Sequence, residues 1–88
     1  MIPEWQTDKI IGTLNFFNIH CKIVEGTLAV ERDSICNAFP GSYENESYQK
    51  ALNHINDSLE IPGQRAIWGS KNDDYLFVEL VGGNHEYE

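Results

Sequence analysis

The dipeptide Glu25-Gly26 constrains the fold more than any other feature of the sequence. It separates two runs, "IHCKIV" and "TLAVE", in which apolar residues alternate with others. A two-residue break with glycine between such runs is typical of a β-hairpin. The predicted register pairs Val24 with Thr27, Ile23 with Leu28 and Cys21 with Val30. Because a slip of one residue would exchange the two faces of the sheet, the alternation and the turn indicate the same register.

Helical periodicity precedes this hairpin. Ile10, Leu14 and Phe17 recur at i, i+4 and i+7, which predicts a helix over residues 4–17 with one face in the core. Pro3 suits its first turn, and Asn18 tolerates the left-handed conformation that ends many helices.

The stretch "SYENESY", residues 42–48, combines two tyrosines with two glutamates and begins a second helical pattern. The stripe of that helix consists of Tyr48, Ala51, Leu52, Ile55 and Leu59. We expect Ser42 or Asn45 to cap the helix, and Glu44 and Glu46 to lie in its first turn, where negative charge is favourable. Tyr43 is left outside the buried stripe. Between hairpin and helix, residues 33–39 fit either one helical turn, capped by Asp33 or Ser34, or an ordered loop.

A second hairpin is predicted from "RAIWGS" and "YLFVELV", joined across residues 71–74. With Ser70 opposite Tyr75, Ile67 pairs with Val78 and Trp68 with Phe77. One face then collects Ile67, Leu76, Val78 and Leu80. The other face collects Ala66, Trp68, Tyr75, Phe77 and Glu79, with Asp73 and Asp74 beside it. This second face is more aromatic than a wet sheet surface normally is.

These elements predict an α+β fold in one domain, residues 1–88, with a frayed acidic tail over residues 82–88. In the order α-β-β-α-β-β, two helices pack on one face of an antiparallel sheet of about four strands. Two separate hairpins around a helical core are the alternative architecture.

The charge of the chain restricts its partners. Fourteen acidic residues face six basic ones, giving a net charge of −8. Direct nucleic-acid binding and anionic membranes are disfavoured, because phosphate affinity depends on Lys and Arg. The charge serves either solubility or a basic partner. Without a signal peptide or transmembrane run, we expect the cytoplasm of a cell or of an infected host.

No motif in the sequence indicates catalysis. His20, His54 and His85 lack metal-ligand spacing, and Cys21 and Cys36 are expected to be buried thiols rather than a disulfide. We therefore expect no enzyme activity, no metal and no cofactor, with a small enzyme or metal protein as the third hypothesis.

The aromatic and acidic residues carry the functional hypothesis. Aromatic side chains supply contact area, and carboxylates around them attract a cationic partner. The predicted partner-binding residues are Trp68, Tyr75, Phe77, Asp73, Asp74, Glu79, Tyr43, Glu44 and Glu46. By analogy of composition, this favours an inhibitor or immunity-type protein, such as phages and plasmids carry, on the nucleic-acid-binding surface of an enzyme. A homo-oligomeric assembly protein, for example a homodimer, is the alternative. The aromatic face could equally be the true core, or the sheet could be buried on both faces.

Overall fold

The computed structural model of the protein describes residues 3–83. These form three helices and one four-stranded antiparallel sheet with strand order β1-β2-β4-β3. In chain order the elements are α1 (Glu4–Phe16), β1 (Cys21–Val24), β2 (Thr27–Glu31), α2 (Arg32–Ala38), α3 (Glu44–Asp57), β3 (Gln64–Lys71) and β4 (Tyr75–Gly82). The predicted α+β class is confirmed, with α2 as a third helix.

The first hairpin has the predicted register. Val24 pairs with Thr27, Ile23 with Leu28 and Cys21 with Val30. Both turn residues have positive φ, 51° at Glu25 and 81° at Gly26. That combination belongs to the turn whose twist matches the twist of the flanking strands.

Helix α1 also follows its prediction. Ile10 and Leu14 are fully buried, and Asn18 takes the left-handed conformation with φ 61°. The Asn18 N–H donates to the Asn15 carbonyl, and the Ile19 N–H donates to the Leu14 carbonyl. These two bonds satisfy carbonyls that the end of the helix leaves free, and the apolar side chain of Ile19 is buried after the last turn.

Helices α2 and α3 are not capped by the residues that the sequence predicted. Helix α2 begins at Arg32 with Glu31 at its cap position, and α3 begins at Glu44 after Tyr43. Neither cap residue makes a side-chain bond to the helix backbone. Helix α2 is instead joined directly to β2, and this junction sets its start. Ser34, a predicted cap, is the third residue of α2, and its hydroxyl bonds the Glu31 carboxylate.

The second hairpin has a different register from the predicted one. Trp68 pairs with Val78 and Ser70 with Phe77, with Gly69 as an extra residue between them. Ile67 pairs with Glu79, so the predicted partners of Ile67, Trp68 and Ser70 are all wrong. Such a bulge sets two residues of one strand against one of the other, and pairing below it is displaced by one residue. Because strand side chains alternate, that displacement exchanges the faces of β3.

A side chain in the loop explains where the pairing begins. The Oδ1 atom of Asn72 accepts hydrogen bonds from the backbone N–H groups of Asp74 and Tyr75, at 2.8 and 2.7 Å. The Asn72 N–H donates to the Tyr75 carbonyl at 2.9 Å. This asparagine turn closes the loop within residues 72–74, so β3 continues to Lys71 instead of ending at Ser70.

All three helices pack on the same face of the sheet. The core between the two layers consists of Ile10, Leu14, Ile19, Leu28, Val30, Ile35, Tyr48, Ala51, Leu52, Ile55, Ala66, Leu76 and Val78. Every strand residue in this set lies on one face by the observed pairing. The architecture therefore has two layers.

Asn56 of α3 closes part of the free edge of β3. Its side-chain oxygen accepts from the Ala66 N–H at 2.8 Å, and its amide nitrogen donates to the Ala66 carbonyl at 3.2 Å. The asparagine thus replaces a neighbouring strand at this residue, and an edge with satisfied groups is a poor template for aggregation.

The last strand extends into the predicted tail, and both cysteines lie beside the core. Strand β4 runs to Gly82, so this residue belongs to the sheet rather than to a tail. The rest of the predicted tail from residue 84, including His85, lies outside the described residues. Cys21 and Cys36 are free thiols that pack against the core. Burial raises the pKa of the Cys21 thiol.

Candidate functional site

One face of the sheet carries no helix of residues 3–83. We call it the open sheet face. By strand pairing, its apolar members are Val24, Ala29, Ile67, Tyr75, Phe77 and Val81. None of them belongs to the core cluster, and all except the buried Ala29 are half-buried. An antiparallel sheet with one wet face normally alternates to polar residues there, so this face is unusually apolar.

Two aromatic residues of β4, Tyr75 and Phe77, lie on the open sheet face. Phe77 pairs with Ala29 on the neighbouring strand, and Tyr75 pairs with Glu31. The ammonium group of Lys22 lies 4.5 Å from the centroid of the Tyr75 ring, in a cation–π contact. Glu79 lies on the same face, where its carboxylate occupies the space above Gly69. Positive and negative side chains are therefore mixed on the face itself.

An acidic end adjoins this face, and Arg32 assembles it. The Arg32 guanidinium donates to the Asn72 and Asp73 carbonyls, at 2.9 and 3.3 Å, and its backbone N–H donates to the Asp74 carbonyl at 2.9 Å. The same guanidinium lies 3.1 Å from the carboxylate of Glu44. We define the acidic end as Asp33, Glu44, Asp73 and Asp74 around Arg32.

The buried Tyr48 holds Arg32 and Glu44 of the acidic end in place. Its hydroxyl accepts a hydrogen bond from Nε of Arg32 at 2.9 Å and donates to Glu44 at 3.3 Å. The bond to Tyr48 raises the pKa of Arg32, with the nearby Glu44 adding to it. Burial raises the pKa of Tyr48, and the Arg32 bond opposes that rise. The guanidinium therefore stays charged and tyrosine stays neutral at physiological pH.

The structure places most of the predicted site residues on these two surfaces. Tyr75, Phe77 and Glu79 lie on the open sheet face as predicted, and Asp73, Asp74 and Glu44 meet at the acidic end. Tyr43 precedes Glu44 and is 66% exposed. Since Tyr75 follows Asp74 directly, the two surfaces are continuous.

Trp68 and Glu46 lie on neither the open sheet face nor the acidic end. Trp68 turns toward the helices because of the Gly69 bulge, packs against the core and donates from Nε1 to the Tyr48 carbonyl at 3.1 Å. Its predicted place on the aromatic face is wrong. Glu46 leans along α3 toward Lys50, 3.9 Å away, rather than toward Arg32.

A polar depression of about 440 Å³ lies elsewhere, between the end of α1 and α2. Its lining includes His20, Glu31, Ser34 and Asn37. His54 lies apart from the depression's polar lining, with its ring parallel to that of Phe39 at 5.2 Å. Within residues 3–83, no group of three or more His, Cys, Asp or Glu residues is placed to hold a metal ion.

No helix within residues 3–83 has the length and apolar composition needed to cross a membrane. No protein-family model, curated protein sequence or solved structure matches the chain. The function of the protein therefore has to be inferred from the chain's own residues.

Sequence patterns missed the residues that connect the site. Arg32 organises the acidic end through partners 12 to 41 positions away, and no local pattern marks such contacts. Ile67 was assigned to the core face because the bulge was not recognised. The only available signal was Gly69 inside a strand pattern, which is typical of a bulge.

Proposed function

We propose that the protein is a non-catalytic binding module that docks on a basic surface of a partner protein. The observation that carries this proposal is the open sheet face, with Tyr75 and Phe77 on its inner strand β4 and no described helix over it. Aromatic side chains on a rigid sheet offer a large contact area at small entropic cost, which is how interface hot spots are built.

The size of the face favours contact through both surfaces. The longest strands have eight residues. An eight-residue strand is about 26 Å long, and four strands are about 19 Å wide, so the face covers at most roughly 500 Å². A stable interface buries about 800 Å² on each partner. The acidic end therefore has to contribute area as well as charge.

Electrostatics define the chemistry of the partner. The chain carries net charge −8, and carboxylates outnumber cations at the acidic end. Such a surface speeds encounter with a cationic protein and repels phosphates. We infer that the partner is a protein with a basic groove, such as a nucleic-acid-handling enzyme. Carboxylates would then lie where phosphates bind, as in an inhibitor or immunity-type protein.

Capture from a cell lysate tests the proposal with matched variants. We expect the immobilised protein to retain a basic protein at low ionic strength and release it in high salt, because surface charge attraction is screened. Phe77→Ser should abolish retention. Asp73→Asn should weaken retention more than Asp57→Asn, which removes the same charge from the exposed surface of α3.

Two outcomes would contradict this function. Retention that survives both Phe77→Ser and high salt would place binding elsewhere. A stable homodimer that Phe77→Ser converts to monomer, seen by analytical ultracentrifugation, would instead favour the assembly protein, in which a second copy covers the open sheet face.

A further inference from the structure

The outer side of α1 carries two large aromatic side chains although it faces away from the core. Trp5 is 49% exposed and Phe16 is 80% exposed. They are eleven residues apart, which is three helical turns, so both lie on the side opposite the buried Ile10 and Leu14. Gly12 lies between them on the same side. We call Trp5, Gly12 and Phe16 the α1 outer stripe.

The neighbouring helix shows what an ordinary outer side looks like in this protein. The exposed positions of α3 carry polar residues, namely Glu44, Asn45, Gln49, Lys50, Asn53 and Asp57. A helix with apolar residues on two sides is normally covered on both. Helix α1 differs from α3 by the exposed rings of Trp5 and Phe16, which lie among exposed polar residues of the same helix.

Nothing in the described structure requires a glycine at position 12. A Cβ at this position would meet nothing within 4 Å, and the residue has no positive φ. Glycine in a helix interior is unfavourable relative to alanine, so no contact among the described residues accounts for it. Between two aromatic ridges about 16 Å apart along the axis, glycine leaves a gap that lets another backbone approach closely.

Charge identifies the occupant. Glu4 and Asp8 lie beside the stripe. Lys9, the one basic residue of α1, has its ammonium group 2.9 Å from the Glu60 carboxylate. A second copy of the chain would bring the same negative charge, and an anionic membrane would be repelled. We propose that the α1 outer stripe docks an amphipathic helix of a basic protein, with one apolar side chain in the Gly12 gap and Lys or Arg residues beside Glu4 and Asp8.

This inference goes beyond the proposed function, because it uses the helical layer and leaves the open sheet face free. The probe is a synthetic 18-residue amphipathic helical peptide with leucine on one side and lysine on the other. The control peptide has glutamate in place of lysine. Binding is followed by fluorescence anisotropy of the labelled peptide and by shifts of the backbone amide signals of α1 in NMR spectra.

The expected result is binding of the lysine peptide and not of the glutamate peptide. Trp5→Ser, Phe16→Ser and Gly12→Lys should each weaken binding by about tenfold or more, as for residues at the centre of an interface. Asn53→Lys is the matched control, because it adds the same charge to an exposed helix position, and it should change affinity less. Gly12→Lys should also raise the melting temperature, which excludes misfolding as the cause.

Several results would overturn the proposal. These are absence of binding by the lysine peptide, equal effects of Gly12→Lys and Asn53→Lys, self-association lost in Trp5→Ser, and binding to phosphatidylserine vesicles lost in Trp5→Ser. Phe77→Ser should leave peptide binding unchanged, so failure here is distinguishable from failure of the proposed function.

Discussion

Asn56→Ala tests how the free edge of β3 is stabilised. Among residues 3–83, Asn56 is the only side chain bonded to the Ala66 backbone, and its amide group reaches both the N–H and the carbonyl. Ala66 is 1% exposed, so the substitution leaves two nearly buried polar groups without these partners. An unsatisfied group of this kind costs roughly 1–3 kcal/mol.

The net effect follows from opposing contributions. Alanine is about 0.5 kcal/mol more favourable than asparagine in a helix, and water can reach part of a sheet edge. We therefore expect the free energy of unfolding to fall by about 2 kcal/mol, near the lower end of the range for two lost partners. In a domain of this size that corresponds to a melting temperature about 8–16 °C lower.

Asn53→Ala is the matched control. Asn53 lies in the same helix and is exposed, and its side chain bonds one described side chain, that of Gln49. Urea unfolding followed by circular dichroism should show a change within about 0.5 kcal/mol for this surface substitution. Equal stabilities of the two variants would refute the assignment of Asn56 as the closure of the β3 edge.

Three further substitutions probe other contacts. Gly26→Ala should lower the free energy of unfolding by about 1–2 kcal/mol, because φ is 81° there, and chemical denaturation measures it. Tyr48→Phe removes the acceptor of Arg32 Nε and should cost about 1 kcal/mol by the same assay; no loss would contradict that contact. Since burial raises the pKa of Cys21, the unfolded thiol ionises first, and stability should fall as pH rises through the ordinary thiol range. Cys21→Ala should reduce that fall, and an unchanged pH profile would refute it.

The sequence predicts well those elements whose conformation is set by neighbouring residues. The Glu25-Gly26 turn and the left-handed Asn18 each depend on neighbouring residues, and both are as predicted. The second hairpin fails because Gly69 and Asn72 act together, one as a bulge and the other as the loop closure. Alternation of apolar residues on both strands fits more than one register.

The candidate site depends on contacts that sequence order conceals. Tyr75 and Phe77 were predicted on the aromatic face because β4 alternates regularly, and they lie there. Trp68 was predicted on the wrong face because the Gly69 bulge shifts the pairing of β3 with β4 by one residue. The acidic end could not be predicted as one surface, because Arg32 joins α3 to the β3–β4 loop across the fold.

Photo-cross-linking from position 77 tests the proposed docking surface most directly. The substitution Phe77→p-benzoylphenylalanine keeps an aromatic ring on the open sheet face, and the same residue replacing Asp57 serves as the control on α3. We predict that the captured basic partner cross-links from position 77 and not from position 57. Cross-linking from position 57 alone, or cross-linking from position 77 only to a second copy of the chain, would contradict docking of a basic partner on this face.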